Sequence, residues 1–103
     1  MKNLKYLVLV ISLLTGGLSS SSQSLSTQAN AHLRAAEALA QTASSGEDYV
    51  QVAEEYEKII NLDPTFGKAY IEAAHAYALA TPSLGQTAYN EGVSILNRLK
   101  SQN

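Results

Sequence analysis

The chain has 103 residues, of which 46% are hydrophobic, no cysteine and a formal net charge of −2. This length allows one domain, and the lack of cysteine excludes disulfide bonds and thiol catalysis. Seven Lys and Arg residues are scattered along the chain, so nucleic acids and anionic membrane surfaces are not expected ligands, because both are bound by clustered basic residues.

Residues 1 to 22 have the features of a secretory signal peptide. Two lysines precede an apolar run from Tyr6 to Leu14, and Gly16, Gly17 and a serine tract follow. The alternative is an uncleaved membrane anchor, but a spanning helix needs about 20 predominantly apolar residues. We expect cleavage between Gly17 and Ser24 and export to the periplasm or the cell exterior. Bacterial lipoproteins are modified on a cysteine, so no stable membrane anchor is expected after cleavage.

Residues 23 to 103 are expected to form one all-α domain. Alanine is abundant, two prolines occur in the chain, and β-branched residues are scattered rather than clustered into strands. Five basic residues stand against nine acidic ones in this segment, so its net charge is −4. A segment of roughly 80 residues is near the lower limit for a self-sufficient core.

Apolar residues at spacings of three and four predict two helices in the first half of this domain. The first helix spans about Thr27 to Ala43 and the second about Glu47 to Leu62. Glu54 and Lys58 stand one turn apart on the second helix and are expected to form an ion pair. The apolar stripe of the first helix is Leu33, Ala36, Leu39, Ala40 and Ala43, and that of the second is Tyr49, Val52, Tyr56, Ile59 and Ile60.

Residues that cap or end helices separate these two helices from each other and from the rest of the domain. We expect Gly46 to adopt the left-handed conformation, and Ser44 to form a capping box with Glu47. The second helix should end at Asp63, because Pro64 lacks an amide hydrogen and disfavours helical geometry at the residue before it.

The same spacing predicts two further helices. The third spans about Thr65 to Ala80, where Pro82 should block continuation, and the fourth spans about Leu84 to Lys100. Ser83 and Gln86 form a second candidate capping box. Because the connections are short, the four helices should pack as two antiparallel hairpins in series. The expected buried residues are Ala69, Tyr70, Ala73, Ala74 and Tyr77 on the third helix and Leu84, Ala88, Gly92, Ile95 and Leu99 on the fourth.

The two hairpins align as copies of one unit. In the first helix of each hairpin the aligned residues are 34 positions apart, so that Tyr70 aligns with Ala36 and Tyr77 with Ala43. In the second helix they are 36 positions apart, and Ile95 aligns with Ile59. A helix-turn-helix repeat of this length resembles the tetratricopeptide repeat (TPR) family, with repeats at about 33–66 and 67–102.

Particular residues carry this resemblance. Tyr70, Ala73, Ala74 and Tyr77 fit the pattern of the family's first helix, and the segment GEDYVQVAEEYEKIINLDP, residues 46–64, is similar to its second helix and closing proline. The resemblance implies a short TPR-like solenoid. Arrays of this kind usually need about three repeats for stability, so a homodimer or docking onto a partner is a further expectation.

The resemblance also implies a function. TPR domains bind a peptide or a partner's helix on a concave face lined by the first helix of each repeat, and here apolar contact would come from Ile71 and Leu79. The alternative is that these are ordinary solvated side chains. Tyrosines of the repeat are expected to fill the core rather than contact a ligand. The candidate partner-binding residues are Arg34, Glu37, Gln41, Lys68, Ile71, Glu72, His75 and Leu79.

Two other functions stay open at this point. Glu72 and His75 have the Glu-x-x-His spacing of di-metal helical bundles, but such centres need two of these motifs, so only a homodimer could complete the site. A structural subunit of an envelope assembly, contacting its neighbours through the hydrophobic end of the fourth helix, is the second alternative. No nucleophile, base and orienting group can be assembled, so we expect neither an enzyme nor a cofactor.

Overall fold

The computed structural model describes residues 25 to 102, which form four α-helices and no strand. The helices are α1 (Thr27–Thr42), α2 (Gly46–Leu62), α3 (Gly67–Leu84) and α4 (Gln86–Lys100). Each helix packs mainly against its neighbours in the chain, α1 on α2, α2 on α3 and α3 on α4. The prediction of an all-α chain with four antiparallel helices is therefore confirmed. The expected signal peptide lies outside the described residues, and within them no helix is long and apolar enough to cross a membrane.

The capping box at the start of α2 is displaced by one residue from the predicted pair, Ser44 and Glu47. The Asp48 N–H donates to Ser45 Oγ at 3.1 Å, and Asp48 Oδ2 accepts the Ser45 N–H at 3.3 Å. The same carboxylate accepts the Ser44 N–H at 2.9 Å. That bond and those from Ser45 lower the pKa of Asp48 despite an opposing effect of desolvation. The short aspartate side chain reaches two amides at once, which fixes the register of the cap.

Gly46 does not adopt the predicted left-handed conformation, because it is the first residue of α2 and lies buried against the end of α3. A Cβ at this position would collide with Ser83 Oγ and lie 3.0 Å from Leu84 Cγ. Glycine is therefore needed here for close approach of two helices. Among residues 25 to 102, the glycine with a positive φ is Gly85, at 75°.

The prediction that Pro82 stops the third helix is wrong, since α3 continues through Pro82 to Leu84. A proline one turn from a helix end removes a single backbone bond, and Leu84 packs partly buried against the core. Gly85, with a positive φ, ends α3 and starts α4, and α4 has no side-chain cap, so the predicted capping box of Ser83 and Gln86 does not form. At its other end α3 begins at Gly67 rather than at the predicted Thr65.

The core consists of small side chains at helix contacts and a few large ones between them. All five residues predicted to be buried on α3 are buried, whereas Ala40, predicted on the buried stripe of α1, is exposed. The largest fully buried side chains are Tyr70, Ile59 and Ile60.

Three polar contacts differ from or extend the predictions. Lys58 Nζ donates to Glu55 Oε2 at 3.0 Å instead of pairing with the expected Glu54, and Glu55 Oε1 lies 2.7 Å from His32 Nδ1 of α1. The buried Tyr70 hydroxyl donates to the carbonyl oxygen of Pro64 at 2.6 Å. The contact between Glu55 and His32 connects α2 to α1, and the Tyr70 bond connects α3 to the turn that precedes it.

Candidate functional site

A cleft of about 280 Å³ opens between α1, α2 and α3. Most of its lining is aliphatic or aromatic, α3 contributes a carboxylate and an imidazole, and α2 contributes two tyrosines. We refer to this space as the cleft. The residues that line it are Ala40, Tyr49, Val52, Tyr56, Glu72, His75, Ala76 and Leu79.

Tyr56 of α2 is the most distinctive residue of the cleft. Its side chain packs in the core, with 6% of the residue exposed, yet its hydroxyl forms no hydrogen bond with any residue from 25 to 102. The hydroxyls of Tyr70 and Tyr77, by contrast, donate to Pro64 O and to Glu57 Oε2. Fully buried polar atoms normally have a partner, and no unsatisfied one occurs in the described residues. Tyr56 also lines the cleft, so its hydroxyl is the candidate hydrogen-bonding group for a ligand there.

Two carboxylates make the electrostatic environment of Tyr56 negative. Burial raises the pKa of Tyr56, and the charges of Glu72 on α3 and Glu37 on α1 raise it further. The two glutamates come from separate helices and act on the same hydroxyl. This end of the cleft therefore favours a cation on a bound molecule.

The structure places three of the eight predicted binding residues, Glu72, His75 and Leu79, on the wall of the cleft. Glu37 joins them through its effect on Tyr56. The remaining four do not line the cleft and are exposed on α1 and α3; they are Arg34, Gln41, Lys68 and Ile71.

Sequence reasoning missed the contribution of α2 to this site. Tyr49, Val52 and Tyr56 recur at the spacing of a buried stripe, so the pattern assigns them to the core. They do pack there, but one edge of the stripe is left uncovered between α1 and α3. Periodicity along one helix cannot reveal an edge that depends on where two other helices lie. Nor can a sequence show whether the Tyr56 hydroxyl has a hydrogen-bond partner.

The described part of one chain offers no preformed metal centre. Among residues 25 to 102, no three His, Cys, Asp or Glu side chains lie close enough together to hold an ion. Glu72 and His75 remain one turn apart on α3 with no third ligand beside them. A metal site built on this pair would need ligands from a second copy of the chain.

Comparisons with protein-family models, with curated proteins and with solved structures find no significant match to this chain. The resemblance to TPR proteins therefore depends on the residues of the sequence alone.

Proposed function

We propose that the chain is a non-catalytic protein-interaction module of two TPR-like repeats, exported from the cell, and that its cleft binds a segment of a partner protein. The observation that carries this proposal is Tyr56, which lines a largely apolar cleft together with Glu72 and lies within the electrostatic influence of Glu37. The pattern of residues 33–66 and 67–102 supports the repeat, and the lysines and apolar run of residues 1–22 support export.

The dimensions of the cleft favour one side chain of a polypeptide over a whole cofactor. Small-molecule sites usually enclose roughly 300 to 1,000 Å³, and the cleft, at about 280 Å³, is at the lower end of that range and open to solvent. Leu79 is 44% exposed and lines the cleft with the buried Val52, so it offers an apolar surface on which a Leu, Met or Phe side chain would pack. The neighbouring residues of a bound segment would then lie along the exposed faces of α1 and α3.

Charge defines the second requirement on the partner. Glu37 and Glu72 attract a cation to the Tyr56 end of the cleft, and the domain as a whole has more acidic than basic residues. We therefore propose a segment in which a Lys or Arg stands close to the apolar side chain. The glutamates would pair with the cation, and the Tyr56 hydroxyl would accept or donate a further hydrogen bond.

Selection from a library of random peptides displayed on phage tests this proposal directly. The selected peptides should share an apolar residue near a Lys or Arg. Their binding should weaken in the Glu37→Gln and Glu72→Gln variants. Glu54→Gln is the matched control, because Glu54 is exposed on α2 away from the cleft.

Three outcomes would count against the proposal. Enrichment of acidic peptides, or of none above background, contradicts the expected ligand chemistry. Equal binding by the Glu54→Gln and Glu72→Gln variants would mean that peptides attach elsewhere. Stoichiometric iron, manganese or zinc in the purified protein, lost on His75→Ala, would favour the metal-binding dimer instead.

A further inference from the structure

A second apolar surface lies on α4, outside the cleft. Tyr89, Val93 and Leu96 are 53%, 39% and 45% exposed and stand four and three residues apart, so they share one face of the helix. We call these three residues the α4 stripe. Together with Gly92 and two alanines of α3, Ala74 and Ala78, they line an almost wholly apolar notch of about 110 Å³.

The proposed repeat allows the α4 stripe to be compared with the equivalent face of α2. At the offset of 36 that aligns the second helices, the α4 stripe corresponds to Ala53, Glu57 and Ile60 of α2. Ala53 and Ile60 are buried, and Glu57 accepts a hydrogen bond from Tyr77 of α3. This face of α2 is therefore the one on which the next hairpin packs. In α4 the corresponding face is more apolar, and no helix among residues 25 to 102 follows to cover it.

We propose that a second copy of this chain covers the α4 stripe, forming a dimer in which the two stripes face each other across a two-fold axis. This inference uses the proposed repeat but does not depend on the cleft as a binding site. In a two-fold dimer the same patch serves both chains. The α4 stripe has the composition for this, since an apolar face is complementary to itself.

The distribution of exposed apolar residues favours this symmetric arrangement over head-to-tail stacking. A head-to-tail stack would need an apolar face on the first hairpin to meet the α4 stripe of the next copy. In residues 25 to 102, none of the exposed large hydrophobic residues lies on α1, and the first hairpin contributes Leu62 alone. The remaining exposed large hydrophobic residues are Ile71, Leu79, Tyr89, Val93 and Leu96, all on α3 and α4.

Charge also favours a second copy at this surface. The helix α2 carries Glu47, Asp48 and three further glutamates against one lysine, so two copies would repel each other there. The helix α4 carries Glu91, Arg98 and Lys100, and residues one turn from the stripe are uncharged apart from Lys100. Two stripes can therefore meet without opposing carboxylates, whereas a charged partner would find few complementary charges.

Analytical ultracentrifugation of the protein purified from its native cells tests whether it forms the dimer. Across the micromolar range the mass should rise to twice that of the monomer. The double variant Val93→Glu/Leu96→Glu should stay monomeric throughout, because it places four carboxylates in the interface. Ser94→Glu is the control, since Ser94 is exposed on the same helix but off the stripe. Circular dichroism should show unchanged helix content in both variants, because the substituted side chains are exposed.

Engineered disulfides provide a second measurement that does not disrupt the surface. The chain has no cysteine, so one introduced cysteine can react only with its copy. Val93→Cys should form a covalent dimer on mild oxidation, and Ser94→Cys should not.

Three results would overturn the proposal: a monomer at every concentration, growth beyond a dimer, or equal crosslinking of the two cysteine variants. A monomer that retains residues 1–24 would instead assign the stripe to that apolar segment. Peptide binding by the Val93→Glu/Leu96→Glu variant distinguishes failure of the dimer from failure of the proposed function, because the cleft should bind peptides whether or not the chain dimerises.

Discussion

The Tyr77 hydroxyl donates a hydrogen bond of 2.7 Å to Glu57 Oε2 and so ties α3 to α2. Tyr77 is 6% exposed, and Glu57 lies at the partly exposed edge of α2. Burial raises the pKa of Tyr77 well above its usual value, and the bond to Glu57 and the charges of Glu57, Glu91 and Glu54 raise it further. The bond is formed only while the tyrosine keeps its proton.

This relationship predicts an alkaline sensitivity that Tyr77→Phe should remove. In the folded protein the pKa is higher than the value of 10.0 in the unfolded chain, so the stabilisation is complete below pH 10 and is lost as the pH rises above it. The substitution should lower the free energy of unfolding by about 1 to 3 kcal/mol at neutral pH. Urea denaturation followed by circular dichroism from neutral to alkaline pH measures both effects. Tyr89→Phe is the control, with both substitutions made in the monomeric Val93→Glu/Leu96→Glu variant, where Tyr89 is exposed. An unchanged alkaline slope in Tyr77→Phe would contradict the assignment.

Glu55 predicts a sensitivity to acid. Its burial alone would raise its pKa, but hydrogen bonds from His32 and Lys58 and their charges outweigh burial and lower the pKa below the usual 4.5. A lowered pKa in the folded state gives stability that is present above pH 4.5 and is lost as the pH falls through the folded value. Glu55→Gln should therefore be less stable than the parent chain at neutral pH, with the difference shrinking in acid.

The matched control for this prediction is Glu54→Gln, at an exposed neighbouring position. Its effect on the midpoint of urea denaturation should be small at every pH. If Glu54→Gln and Glu55→Gln behaved alike, the link between α1 and α2 through His32 would not contribute to stability.

Gly46 predicts a coupling between the start of α2 and the end of α3. Alanine is a better helix former than glycine, although at the first position of a helix the gain from Gly46→Ala would be smaller than the roughly 1 kcal/mol of a helix interior. In the folded chain the added Cβ would collide with Ser83 Oγ, and we expect a net loss of about 1 to 2 kcal/mol. Ser83→Ala should recover part of that loss. A double-mutant cycle with thermal denaturation measures the coupling, and strict additivity of the two substitutions would refute the close contact.

The sequence predicts the helices well but their ends less well, for identifiable reasons. The apolar period marks the buried face of α3 correctly, because burial of Tyr70 and Tyr77 depends on spacing within one helix. The prediction that Pro82 ends the third helix is wrong because Leu84 packs against the core, and this packing keeps the last turn of α3 helical despite the local preference of proline. The capping box at Asp48 is displaced because two serines compete for the position, and side-chain reach decides between them.

Some residues of the candidate site could be predicted from the sequence and others could not. Glu72, His75 and Leu79 could be proposed from the face of a single helix. The role of Tyr56 could not, because it packs in the core and also lines a space defined by α1 and α3. Such a residue is recognised only when the partners of every buried hydroxyl are known.

The most direct test of the proposed function is a charge exchange between the cleft and a peptide taken from the phage selection. Fluorescence anisotropy would measure binding of that peptide to the parent chain and to the Glu37→Lys/Glu72→Lys variant. We expect the variant to bind at least about tenfold more weakly, since the peptide's basic residue would then face two lysines. A peptide with Glu in place of that residue should regain affinity for the variant and lose it for the parent chain. Equal binding of both peptides by both proteins would contradict the account, because the cleft would then not be where the partner's charge is recognised.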